Sequence, residues 1–150
     1  MTTHVRQQIL EAIQTAVTSL TTTGANVFLS RTTPLARDQV PALLIHAGPE
    51  QLRADTLPTP RKYLRRLQVD IVCAVRATDG VDAALNQIFA EVEVALAMPN
   101  AIFVGVRGVQ TITLDNIDRP KIEQGEQPVA QAALAYAIEY YAAENNPTGT

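Results

Sequence analysis

Side chains suited to covalent or metal chemistry are few in this sequence. It holds one cysteine, Cys73, and two histidines, His4 and His46, and the thiolate–imidazole pair that could be written from them is Cys73 with His46. A nucleophilic thiol needs a polar, partly exposed setting that lowers its pKa. Cys73 instead falls in the run Leu67, Val69, Ile71, Cys73, Val75, on the apolar face of a period-two alternation, where a thiol behaves as a small, inert hydrophobe. No HExxH, CxxC or EF-hand spacing occurs, and neither does a P-loop or a GxGxxG phosphate cradle. The expectation is a protein that is not an enzyme and that uses no cofactor and no metal.

Two stretches raise the question of a macromolecular partner. "GVRG" (105–108) has the GxxG pattern with which KH modules clamp a nucleotide backbone, but it precedes a strand instead of joining two helices. It reads as a turn with two permissive glycines. "RKYLRRLQVDIVCAVRA" (61–77) begins with Arg61, Lys62, Arg65 and Arg66. These charges have three readings: a solvated strand start after a proline-rich loop, a contact with acidic groups on a neighbouring copy or partner, or a direct contact with nucleic acid. Asp115, Asp118, Glu123 and Glu126 supply an acidic stretch in the same chain for the second reading. The third is opposed by a net charge of −3 and a pI near 5.3, which leave no global positive field to hold phosphates. Arg31, Arg37 and Arg53, in the two long loops, are further candidate contacts.

The elements that must position these residues follow from periodicity. Val5, Ile9, Ala12, Ile13, Ala16, Val17 and Leu20 recur at three- and four-residue steps, predicting an amphipathic helix over 3–21 with Thr2 and Thr3 as candidate caps and Gly24 just beyond its end. "NVFLS" (26–30) and "PALLIHA" (41–47) are β-prone, and Pro41 suits the first residue of a strand because it has no ladder donor to lose. "GPEQLRADTLPTP" (48–60), with three prolines, predicts an exposed, poorly packed arm. Residues 67–75 then read as a half-buried strand, with Arg66, Gln68, Asp70 and Arg76 on its polar face.

Asp79 can cap a second helix whose stripe is Leu85, Ile88, Phe89, Val92 and Leu96, ending at Pro99 and Asn100. "VQTITLDNI" (109–117) reads as a strand. "PVAQAALAYAIEYYAAE" combines alanines of high helix propensity with a strand alternation of Ala130, Ala132, Leu134, Tyr136, Ile138 and Tyr140. Strand is the better reading, because a sheet lacking this element would keep an open β-rich edge. The expected fold is α+β: a mainly antiparallel sheet of about five strands with two amphipathic helices packed on one face. It forms a single domain over 1–143, followed by a flexible tail at 144–150.

The 150 residues suffice for one domain with a sizeable core. Apolar residues make up 47% and charged residues 18%, which favours folding over disorder and leaves a surface short of charge, as suits an assembly. One cysteine permits no internal disulfide, no leader pattern opens the chain, and no apolar run reaches the roughly 18 residues of a membrane span. These features point to synthesis in a reducing cytoplasm.

The order of elements resembles the tail terminator family of long-tailed phages, the minor tail proteins of the lambda U type. Three stretches carry the resemblance: "VFLSRTTPLARDQVPALLIHAGPE", "RRLQVDIVCAVRATDGVDAALNQIFAEVEVAL" and "AQAALAYAIEYYA". It implies a non-enzymatic structural protein of the virion tail or neck, assembled in the bacterial host cytoplasm. Six copies would form a homo-oligomeric ring that caps the tail tube protein, stops its polymerisation and offers a surface to the head-side connector or head-completion protein. DNA would pass through the lumen without specific binding, and no membrane would be involved. The rival readings are another tail-completion or head-to-tail joining protein, and a small nucleic-acid-binding module, whose affinity would fall steeply with salt. A ring requires one patch to meet a different patch on the next copy, and the basic segment 61–66 against the acidic segment 115–126 is the candidate pair.

Overall fold

The computed structural model of the chain describes residues 3–33, 35–77, 80–123 and 128–149. Helix α1 (Val5–Val17) buries Val5, Ile9, Leu10, Ile13 and Val17 along one stripe. Its N-cap is His4, whose Nδ1 accepts a hydrogen bond from the Arg6 amide at 3.0 Å; of the caps expected from sequence, Thr2 lies outside the described residues. The helix is shorter than its periodicity suggests. Thr15 and Thr18 hydroxyls donate back to the carbonyls of Glu11 and Gln14, Thr18 is already extended, and Ser19 takes a positive φ of 71°. Side chains that compete for backbone groups weaken a helix at this point.

Strand β1 (Val27–Leu29) runs parallel to β2 (Ala42–Ala54), and a 3-10 turn at Arg37–Gln39 interrupts the loop between them. β2 is much longer than "PALLIHA" predicts. It carries on through a register shift between Ala47 and Glu50 and stays paired with β3 (Lys62–Arg76) as far as Ala54 opposite Tyr63. The stretch 48–60, expected as a poorly packed arm, is therefore a strand for half its length and a turn for the rest. Backbone pairing with β3 satisfies donors and acceptors that an open loop would leave to water.

Helix α2 (Val81–Ala95) follows β3 and buries Leu85, Ile88, Phe89 and Val92. Gly80, at φ 83°, is its N-cap; Asp79, the cap expected from sequence, lies outside the described residues. Pro99 does not simply stop the helical region but opens a short helix α3 (Pro99–Ile102), consistent with the preference of proline for a first helical turn. β4 (Val109–Ile117), β5 (Lys121–Glu123) and β6 (Val129–Ala143) complete the chain.

One sheet collects all six strands in the order β1-β2-β3-β6-β4, with β5 also on β6. The fold is α+β and mostly antiparallel, with β1–β2 as the parallel pair. The sixth strand, absent from the sequence reading, has a simple origin. β4 pairs with Leu134–Tyr140 of β6 and β5 with Val129–Gln131, so the two are one edge interrupted near Pro120, which has no ladder donor to give. β6 is a strand, as its alternation suggests and its alanines do not. It runs beside β3 along the full length of both, from Lys62 opposite Ala143 to Arg76 opposite Val129, and this pairing outweighs helix propensity.

α1 and α2 lie on the same face of the sheet. Between the layers sit Ile9, Ile13, Ile45, Ile71, Ile88 and Ile138, each without exposed surface. Each such side chain contributes about 1.5–3 kcal/mol relative to an exposed position. The opposite face of β6 carries Gln131, Ala133, Ala135, Glu139, Tyr141 and Ala143, all half-buried. The end of the chain, expected as loose, returns to α1: the Val5 amide donates to Pro147 O at 2.9 Å and Gln8 Nε2 to Thr148 O at 3.0 Å.

Candidate assembly surface

The basic cluster sits where the β2–β3 hairpin and the end of β6 run together, at the end of the sheet farthest from β1. Alternation along β3 sends neighbouring arginines to opposite faces. Arg65 shares the parity of Leu67 and points to the face that holds the core, while Arg66 points to the open face.

Arg65 is therefore not a surface residue. Its side chain is 11% exposed, and its Nη1 lies 3.3 Å from Oε2 of Glu50, itself 7% exposed. The hydroxyl of Tyr140, a fully buried residue, donates to Glu50 Oε1 at 2.7 Å. Burial, with the Glu50 carboxylate beside it, holds the Tyr140 phenol well above its ordinary pKa, so it remains a donor. The arginine Nε is buried with no partner. The register shift at Ala47/Glu50 sets Glu50 opposite Leu67 and brings its carboxylate to this cluster.

On the other face Arg66 stands opposite Glu139 in the β3–β6 ladder. Its Nη1 reaches Glu139 Oε1 at 3.1 Å and its Nη2 reaches Asp115 Oδ2 at 2.7 Å. Asp115 sits in the second irregularity of β4, between Leu114 and Asn116. The pairing of a basic with an acidic segment, expected from sequence between copies, is thus made by Arg66 and Asp115 within one copy. Arg61 lies 3.6 Å from Glu144, and Lys62 Nζ stands 4.3 Å over the Tyr141 ring. Both remain at the surface.

The remaining candidates scatter. Asp118 accepts from Asn116 Nδ2 at 3.0 Å. Glu126 and the side chain of Glu123 lie outside the described residues, as does the side chain of Arg37. Arg31 stacks 4.6 Å over Phe28 and donates to Thr33 O and Gln39 Oε1, tying its own loop together. Arg53 is exposed near the hairpin turn, with no ion pair among the described residues.

Cys73 and His46 do not meet. Cys73 is fully buried on the core face, and burial raises its thiol pKa to about 12. His46 stands opposite Asp70, on the other face of the sheet. "GVRG" is a turn, with Gly105 and Gly108 at φ 85° and 86°. Among the described residues no three His, Cys, Asp or Glu side chains gather as metal ligands would, and no helix is long and apolar enough to cross a membrane.

Sequence reasoning overlooked the inner cluster. One signal was present: Arg65 is two residues from Leu67, so strict alternation places it on the buried face. Glu50 carried no such signal, because the register shift that aims it is a tertiary feature.

No protein-family profile matches the chain, and no curated protein sequence matches it. Among solved structures, a similar chain occurs in the virion of a native gene transfer agent particle. The two share 17% identity and a TM-score of 0.43, over 93% of this chain and 92% of that one.

Proposed function

We propose that this protein is a phage tail terminator, a non-enzymatic virion component of the tail or neck. In this reading six copies form a ring that caps the tail tube, stops tube subunits from adding, and offers its other surface to the head-side connector. DNA passes through the lumen without sequence-specific contacts.

The observation that supports this reading is how the three stretches that resemble the terminator family come together. The first supplies β1 and the opening of β2, the second β3 and α2, and the third β6. In the sheet β1, β2, β3 and β6 are consecutive neighbours, and α2 packs against β3 and β6. The resembling segments thus form one continuous unit of structure. Exposed apolar side chains remain in two separate groups, Leu52 and Leu57 on the hairpin and Val94, Met98 and Val104 around α2 and α3, which a neighbouring copy could cover.

The test is the mass of the purified protein in solution, measured by light scattering over a range of concentrations, with and without isolated tail tubes. Six copies, alone or once tubes are added, together with an arrest of tube growth, is the expected result. A monomer under every condition would overturn the proposal.

A further inference from the structure

The hairpin turn and the start of α2 lie at opposite ends of one long strand pair. β3 has 15 residues between them, which at about 3.3 Å per residue is roughly 50 Å. At the turn, Leu57 is 88% exposed between polar and proline neighbours, and no part of its own chain covers it. Toward the other end a groove of about 390 Å³ opens between the loop after α1 and one side of α2, lined by Ser19, Leu20, Thr21, Ala90, Glu91 and Val94. Val94 is 79% exposed. Glu91 holds the wall of this groove by accepting hydrogen bonds from the Thr22 amide, at 2.8 Å, and the Thr22 hydroxyl, which also hold its carboxyl below the usual range.

Charge divides in the same way. Residues 77–106 contain no lysine or arginine but include Asp79, Asp82, Glu91 and Glu93. Residues 53–66 contain Arg53, Arg61, Lys62, Arg65 and Arg66 against the single acid Asp55. Three of these five cations are held by Glu144, Glu50 and the Glu139–Asp115 pair. Arg53 and Lys62 are left flanking the tip without an ion pair among the described residues, and both are exposed.

We infer that the hairpin tip of one copy, centred on Leu57, seats in the α2 groove of the next copy, with Arg53 and Lys62 facing the carboxylates of Glu91 and Glu93. The inference rests on the ring reading and assigns its subunit contact. No residue of the hairpin tip lines this groove, and Leu57 is left uncovered by its own chain. The contact is therefore between copies and heterologous, the type that closes into a ring or runs on as a filament. It also gives the proline-rich turn a role: Pro58 and Pro60 limit the conformations of the tip before it docks.

Cross-linking and association measurements test this contact. Leu57→Cys and Val94→Cys proteins are prepared separately, mixed, and oxidised in the presence of tail tubes; buried Cys73 stays out of the reaction. A covalent dimer that appears in the mixture but in neither protein alone, and a ladder of multimers from the doubly substituted chain, is the expected result. Leu57→Asp should leave the thermal unfolding of the subunit unchanged, and Val94→Asp, in the last turn of α2 near Glu91, should lower it by only a few degrees. Each should shift association to about tenfold higher concentration or more. Rings that persist in both aspartate variants, with no mixed cross-link, overturn this contact and leave the ring reading standing. Disulfides between two Leu57→Cys chains alone overturn it in favour of a two-fold contact. A wild-type chain that stays monomeric with and without tubes overturns both readings.

Discussion

Replacing Arg65 by alanine should destabilise the folded subunit far more than the same change at Arg66. The two residues are adjacent in sequence and both are ion-paired, but their partners differ in solvent access. Arg65 and Glu50 are 11% and 7% exposed. Removing the guanidinium leaves a nearly buried carboxylate with the Tyr140 hydroxyl as its remaining hydrogen-bond partner among the described residues. Breaking a buried pair from one side costs about 3–5 kcal/mol. The lower end applies here, because the 3.3 Å contact is long and the arginine Nε is already without a partner.

Arg66 is 41% exposed and its partners 43% and 34%, so its loss costs about 1 kcal/mol or less per pair. For a chain of this length each kcal/mol moves the midpoint by roughly 2–4 °C, so Arg65→Ala should melt about 6–12 °C below the parent. Calorimetry or circular dichroism on the dilute subunit reads this directly. Replacing the whole cluster with Arg65→Met, Glu50→Leu and Tyr140→Phe should recover most of the loss, since apolar residues of similar volume often match a buried ion pair. Equal melting of Arg65→Ala and Arg66→Ala would refute the burial argument, and would restore both arginines as equivalent surface groups.

Native Cys73 should resist iodoacetamide at pH 8 and react fully in denaturant, because burial raises its pKa to about 12; fast native labelling would show that the strand opens. Stability should fall as pH rises above about 9, since the unfolded thiol ionises near 9.0 while the folded one holds its proton up to about 12. Tyr136, raised to about 12 by burial, and Tyr140, also held above its ordinary range by burial and Glu50, add to the fall above pH 10, so Cys73→Ala with Tyr136→Phe should make the profile shallower and leave the part due to Tyr140. Gly108→Ala should cost more than Gly105→Ala. Both have φ near 85°, but a methyl at 108 would stand 2.3 Å from the Tyr141 carbonyl oxygen, whereas 105 faces open space. The second should lose about 1–2 kcal/mol, and comparable losses at the two sites in a urea titration would contradict the close approach.

Much of the fold is legible in the chain itself. The alternation from Leu67 to Val75 and the stripe from Leu85 to Leu96 name buried residues correctly, because a half-buried strand and an amphipathic helix each write one period into the sequence. Parity along β3 even places Arg65 inward. Less could be read where two elements set each other's register. Glu50 reaches Arg65 through an irregularity in β2, and Asp115 reaches Arg66 through another in β4. Neither shift leaves a periodic trace, so the charged segments looked equally free.

The sequence by itself determined the class of fold, the inert character of Cys73, and the division of the chain into a basic hairpin and an acid-only block around α2. These are properties of residue type and of spacing within single elements. Only the tertiary structure decided that β6 is a central strand, that Arg66 spends its charge on its own chain, and that a groove forms between α2 and the loop after α1 while Leu57 stays uncovered. Those outcomes depend on which strands lie side by side, and backbone pairing between distant segments is blind to the local pattern of either one.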